Sequence, residues 1–487
     1  MFEVYVSDSI IGSPRAMFDL LKKAAVQRPI AGNQDGSYLT MKSNSALVFG
    51  VIQLCSGSGT VFLDQAYWQR AIASRPQTAV RAYILGGLAW FAIPFGFATT
   101  LGLAAAALVD NPAFPTYPNV PSASEISAGL ASSYAASALL GKSGAVALLI
   151  TLFMAVTSCA SAELIAVSSI LTFDIYKTYI KPGASPANLI FMAHMNVCVF
   201  GCTMAVFAII WNVIGIDLGW LFLVMGLLIG GAVFPAAFAI TWRGQSRAGA
   251  IAGAISGLVA GLTAWLVEAK VYYGELSITS TGANYPTLAG NIAAIMTGLI
   301  VSVAVSLIKP QNFDWEITRA INMEHNEKLE GVHPGPDANP SANNSHPTLP
   351  NLGTDLPLTE KDVQSTDPSA TMAPLRKHST ILESEERQAS FDANIEDHPS
   401  SLRSAFKLAC WASFILTLSM DFLVPIPMFL SHYVFSEGFF VAWVVISFLW
   451  VFSSALISVI LPLWETREFF WQLLKGVRAD LGGKRKN

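Results

Sequence analysis

The chain of 487 residues is 53% hydrophobic and only 13% charged, about half the charged fraction of an ordinary soluble domain, so its composition suits lipid rather than water. Its apolar residues gather in blocks of about twenty or more, the length at which a helix rising about 1.5 Å per residue crosses the hydrocarbon core. A net charge of −4, with Lys and Arg mainly in short connections, excludes a basic nucleic-acid-binding surface.

Residues 1–45 are polar and mixed and read as an extracellular arm, with an amphipathic helix around 16–25 and a turn at 33–37. Spanning segments are expected at 46–63, 80–109, 143–170, 187–214 and 218–242, then at 248–271 and 288–308, and finally at 405–430 and 439–463. The chain is therefore expected to be an all-α integral membrane protein of about nine transmembrane helices. Positive residues mark alternate connections: Arg70, Arg75 and Arg81, then Lys177 and Lys181, then Arg243 and Arg247, then Lys309 and Arg319. Taken as cytoplasmic, they put the N-terminus outside and the C-terminus inside. The basic residues of the arm, such as Arg15, Lys22 and Lys23, run against that rule. Between 309 and 402 the composition turns to Pro, Ser, Asn and charge, as in N-P-S-A-N-N-S-H-P-T, and reads as a disordered cytoplasmic linker open to regulators. A basic cytoplasmic tail closes the chain at 465–487. Cys198 and Cys202 lie one helical turn apart with no His or carboxylate beside them in sequence, so they read as packing thiols rather than a metal pair.

Three places carry candidate chemistry. The first span contains C-S-G-S-G-T, residues 55–60. Glycine weakens a helix, and non-helical backbone at membrane depth survives only where it lines a cavity or is buried by protein. Gly57 and Gly59 are read either as a helix break that frees backbone groups or as a packing face that admits a neighbouring helix. Next, Asp64 and Arg70 in D-Q-A-Y-W-Q-R are read either as a cytoplasmic gate or as an interfacial capping pair. In the third span, Ala155, Ser158 and Cys159 share one helical face by their spacing. Their oxygens suit a small cation, and the same residue types suit helix–helix packing. Glu163, near the middle of that span, is read as an ion or proton site, against a structural hydrogen-bonded pair.

The stretches G-N-Q-D-G-S-Y-L-T-M and G-T-V-F-L-D-Q-A-Y-W-Q-R-A-I-A-S-R-P, together with A-V-T-S-C-A-S-A-E-L-I-A-V-S-S-I-L-T-F-D-I-Y-K, resemble the sodium:solute symporter family, most closely its urea active transporter branch in fungi and plants. The resemblance covers almost the whole chain except the linker. It implies that 46–242 form the second half of a five-plus-five inverted-repeat transporter core, with two peripheral helices over 243–308 and two more over 403–464. It also implies cation-coupled symport of urea, and of polyamines in some relatives, with no covalent catalysis and no cofactor beyond a coupling ion, H+ or Na+.

On this resemblance Gly57, Ser58 and Gly59 correspond to the helix break, with Gln53 and Ser56 offering further polar groups to urea. The Ala155 carbonyl and the Ser158 hydroxyl correspond to cation ligands, with Cys159 where a second hydroxyl is expected. Sulfur is a poor ligand for a hard cation, which favours a proton-driven mechanism with Glu163 as carrier. The resemblance also puts Met1 midway through the family's length, so the chain is expected to be an incomplete copy lacking the first repeat. The plasma membrane is the expected location. The rival readings are a sodium-coupled symporter for another small polar solute and a membrane nutrient sensor that signals through the linker without transport.

Overall fold

The computed structural model describes residues 1–74, 76–315 and 399–467, together with 470, 471, 473 and 475. The chain divides into two units, one of Met1–Phe313 with Pro399–Asn487 and one of Asp314–His398. Nearly all of the second unit and of the linker expected over 309–402 lies outside the described residues, as do most of the residues of the basic tail.

The arm is a folded cap. It opens with the π-helical turn Glu3–Ser7 and continues as α1, Pro14–Gln27. Ser13 starts α1 by accepting the Ala16 N–H at 3.1 Å, and Pro14 brings a φ already set for the first turn. Met17, Phe18, Leu21 and Ala24 recur at helical spacing and are buried. Met17, Phe18 and Leu21 join a core with Leu39, Leu108, Phe114, Phe435 and Phe440. Met17 and Leu21 are 0% exposed, and burial of each contributes about 1.5–3 kcal/mol. Tyr5 donates its hydroxyl to the Thr99 carbonyl, and burial pushes its phenol above its ordinary range.

Residues near the C-terminal end of the chain close over this cap. Thr40 Oγ1 donates to the Tyr433 carbonyl at 2.8 Å, the Phe435 N–H donates to the Leu39 carbonyl at 2.8 Å, and Arg15 pairs with Glu437. The polar arm expected from the sequence thus has an apolar underside, and some of its partners, Phe435 and Phe440, come from about four hundred residues away.

Among the described residues, the helices long and apolar enough to cross a membrane match the nine expected segments. In chain order they are α2 (Asn44–Leu63), α4 (Ala79–Leu108), α5 (Leu130–Ile180), α6 (Pro186–Ile214), α7 (Leu218–Thr241), α8 (Arg247–Tyr273), α9 (Asn284–Ile308), α10 (Arg403–Leu430) and α11 (Glu437–Glu465). The short α3, Gln65–Ala73, follows α2. The third expected span begins near 143, whereas α5 begins at Leu130. Gly141, at φ 60° and ψ −143°, turns the chain between a short leading segment and the long apolar one. Ala135, Ala136 and Ala138 on that leading segment are buried.

Two seams organise the spans. Along α8, Gly249, Gly253, Gly257 and Gly261 recur every four residues and lie against Ala294, Gly298, Ser302 and Ser306 of α9. Small residues at that spacing let two helices approach closely. The α4–α11 seam is aromatic instead. Phe91 meets Trp450 and Phe95 meets Trp443, each at 5.1 Å between ring centroids, while Trp450 Nε1 donates to the Leu88 carbonyl at 2.8 Å. The α5–α6 pair is held by Ser168 Oγ donating to the Ala193 carbonyl at 2.8 Å and by Asn196 Nδ2 donating to Thr172 Oγ1 at 3.0 Å. Most of its apolar side chains face outward.

Candidate functional site

The helix break expected at 57–59 is absent: α2 runs without interruption from Asn44 to Leu63. Ser58 Oγ donates to the Leu54 carbonyl at 2.7 Å, and Thr60 Oγ1 donates to the carbonyls of Ser56 at 2.9 Å and Gly57 at 3.2 Å. In apolar surroundings every backbone group must find a partner, and these side chains bond back to carbonyls of their own helix. The two glycines serve different sides. A side chain at Gly59 would bring its Cβ within 2.7 Å of Ile229 on α7, whereas nothing lies within 4 Å of the corresponding point at Gly57. The packing-face reading therefore holds at Gly59, and Gly57 belongs to an open side.

The five residues linked to urea by resemblance divide between these sides. Ile52, Cys55, Ser56 and Gly59 form the buried stripe that meets α7 and α9. Gln53, Gly57 and Thr60 recur at spacings of four and three and share the other stripe. Gln53 is half-buried, and its Nε2 is a buried donor with no partner. Ser58, also half-buried, has its hydroxyl taken by Leu54.

On the buried side the structure adds a residue that sequence reasoning missed. Asn291 of α9 is 0% exposed, as is Ser56. Its Nδ2 donates to the Leu223 carbonyl of α7 at 3.2 Å and to the Thr287 carbonyl at 2.8 Å. Ser56 and Asn291 meet at Gly226, where an added Cβ would lie 2.2 Å from Asn291 Oδ1 and 2.7 Å from Ser56 Cβ. Ser56 Oγ and Asn291 Oδ1 have no hydrogen-bond partner, so three helices meet at a polar point inside an apolar bundle. The available signal was an amide amid the apolar run N-I-A-A-I-M.

The α5 face lies elsewhere. Ala155, Ser158 and Cys159 are exposed on an unbroken stretch of helix, and the Ser158 carbonyl accepts from Ser161 Oγ at 2.9 Å. Helix α2 packs on α7 and α9, whereas α5 packs on α6, α4 and α3, so the α5 face and the glycines of α2 have different neighbours. The structure does bring Glu163 together with the pair expected at the membrane edge. Glu163, half-buried, lies within electrostatic reach of both Asp64 and Arg70.

Asp64 is a capping residue. Its N–H reaches the Thr60 carbonyl at 3.1 Å to end α2, and its carboxylate accepts the Ala66 N–H at 2.7 Å to start α3. Arg70 sits in the last turn of α3, where its charge suits the helix dipole. Asp64 and Arg70 form no ion pair with each other. Trp68 Nε1 donates to the Phe62 carbonyl at 3.0 Å, and Tyr83 donates to the Tyr67 carbonyl at 2.9 Å, tying α3 to the ends of α2 and α4. Two carboxylates within reach of one guanidinium make a locally anionic site that a proton or a cation neutralises.

Apolar helices long enough to cross a membrane, packed along close small-residue and aromatic seams, define a polytopic integral membrane protein. The chain belongs to the sodium:solute symporter family, whose model matches residues 6–257. It is 36% identical to the urea active transporter of Saccharomyces cerevisiae, over 99% of this chain and 66% of that protein. It is 37% identical to the probable urea active transporter 1 of Schizosaccharomyces pombe, over 99% of this chain and 63% of that protein. It is also 46% identical to the urea-proton symporter DUR3 of Oryza sativa subsp. japonica, over 68% of this chain and 46% of that protein. The chain thus spans two thirds or less of the length of these relatives. No solved structure matches it.

Proposed function

We propose that this chain forms part of a secondary active transporter that takes up urea by cation-coupled symport, driven by protons. The observation that carries the reading is the match to urea transporters over 99% of the chain, with residues 6–257 in the symporter family. The site chemistry supports it. Gln53, Gly57 and Thr60 on the open stripe of α2, with Ser58 beside them, offer donors and acceptors to a small neutral amide. Ser56 and Gly59 support that stripe from the packed side.

The coupling site comprises the Ala155 carbonyl, Ser158 and Cys159 on α5, with Glu163 in the field of Asp64 and Arg70. A thiol at Cys159 is unsuited to sodium, which prefers oxygen. A carboxylate at Glu163 accepts a proton without any coordination shell. Residues 46–242 supply the second core repeat, and α8 to α11 lie outside it. The membrane is the plasma membrane, with the arm and the α10–α11 connection outside and the 309–402 linker in the cytoplasm.

The test is a chimera in which this chain replaces the matching segment of the Saccharomyces cerevisiae relative, expressed in cells without other urea uptake. Saturable urea entry that collapses when the proton gradient is dissipated is the expected result. A chimera that reaches the membrane yet leaves urea entry at background refutes the reading, and dependence on sodium alone refutes the proton.

A further inference from the structure

Asp421 lies within α10, about 13 Å from its Leu430 end and about 27 Å from Arg403 at the helical rise. It is exposed, and no residue hydrogen-bonds or pairs with its carboxylate among the described residues. It falls in the π-helical segment Leu418–Leu423, where the Val424 N–H reaches back five residues to the Ser419 carbonyl. Four residues after Asp421, Pro425 has no N–H to offer the Asp421 carbonyl. π-Turns inside transmembrane helices often mark functional sites, and an intramembrane carboxylate calls for a partner.

The surroundings of Asp421 indicate that partner. Ser413, Thr417 and Asp421 recur every four residues and so form one polar stripe. All three line a crevice of about 720 Å³ between α10 and α4, which reaches from Ala71 at the end of α3 to Trp90 at mid-span. The facing wall carries Tyr83, Trp90 and Phe91. An anionic end, two hydroxyls and aromatic faces amid aliphatic walls match a protonated amine on an apolar body.

We propose that this crevice binds an amphiphilic amine dissolved in the bilayer. The ammonium sits on Asp421 with Ser413 and Thr417 accepting its remaining hydrogens, and the chain lies along α4. This site is separate from the α2 and α5 residues assigned above to urea and its coupling ion.

The test uses the full chain in lipid nanodiscs with labelled dodecylamine as the probe and labelled dodecanol as its uncharged counterpart. Retention of the amine over the alcohol, a preference that falls about tenfold in Asp421→Asn, the scale of one charge-assisted contact, is the expected result. Dodecanol retained by Asp421→Asn shows that the crevice is still formed. Equal binding of the two probes to the parent chain, or an undiminished preference in Asp421→Asn, overturns the proposal. If Asp421→Asn retains neither probe, Asp421→Glu decides: an amine preference there supports the site, and its absence overturns it.

Discussion

The junction of α2, α7 and α9 makes one chemical change, glycine to alanine, carry three different costs. At Gly226 a new Cβ would stand 2.2 Å from Asn291 Oδ1, 2.7 Å from Ser56 Cβ and 2.8 Å from Ser56 Cα. Both neighbours are fully buried, and one contact is to backbone, so relief requires α2 and α7 to separate. Overpacking of this kind costs about 1–3 kcal/mol, and the upper end applies here because the Asn291 bond to Leu223 must also be disturbed. At Gly59 the clash is with the far end of the Ile229 side chain, at 2.7 Å. A rotamer change relieves it, so the cost is at the lower end, about 1 kcal/mol.

At Gly57 nothing stands within 4 Å, and alanine brings about 1 kcal/mol of helix propensity. Unfolding midpoints of the purified chain in one detergent, read by circular dichroism, should therefore rank G57A at or above the parent, then G59A, then G226A. A G226A midpoint equal to the parent's, or G57A falling below G59A, refutes the assignment of which side of α2 is packed. In the uptake chimera, G57A should still impair urea entry despite its stability, because it narrows the open stripe.

Three further outcomes are expected. Glu163→Gln in the chimera should abolish proton-driven accumulation of urea while the protein remains in the membrane at parental abundance; uptake that keeps its pH dependence excludes Glu163 as the carrier. Cys159→Ser adds a second hydroxyl oxygen to the Ser158 face and should confer a sodium stimulation that the parent lacks, measured as uptake at fixed pH with sodium replaced by choline. Finally, the Ser122 N–H, the Tyr134 hydroxyl at 2.7 Å and the Ser122 hydroxyl hold the Glu125 carboxyl below its ordinary value of 4.5. A carboxyl lowered in the folded state stabilises above its unfolded pKa and loses that contribution as pH falls through the lowered one. The thermal midpoint should thus drop more steeply below pH 4.5 in the parent than in Glu125→Gln, and coincident profiles would remove this role.

Much of the architecture was legible because a spanning helix is a constraint on composition and length alone. The first span, expected at 46–63, is Asn44–Leu63, and the fourth, expected at 187–214, is Pro186–Ile214. The third was read short because residues 130–140, rich in Ala and Ser, carry too little hydropathy to be recognised, and Gly141 hides the turn that joins them to α5. The stripe Ser413, Thr417 and Asp421 was visible in the sequence at its spacing of four, yet only the crevice beside α4 gives those residues a common setting.

What the sequence by itself determined is the number and placement of the spans, the family motifs and the identity of the ionisable groups at membrane depth, since each depends on local composition. Tertiary structure decided which side of each residue is occupied. The glycines of α2 looked alike in sequence, but Ile229 covers Gly59 and leaves Gly57 open. The arm looked solvated, but apolar residues at helical spacing along α1 find Phe435 and Phe440. Asn291 looked like one amide in an apolar helix, but it bonds the Leu223 carbonyl across a helix interface. In each case the deciding partner is distant in sequence, and packing and hydrogen bonding depend on proximity in space rather than along the chain.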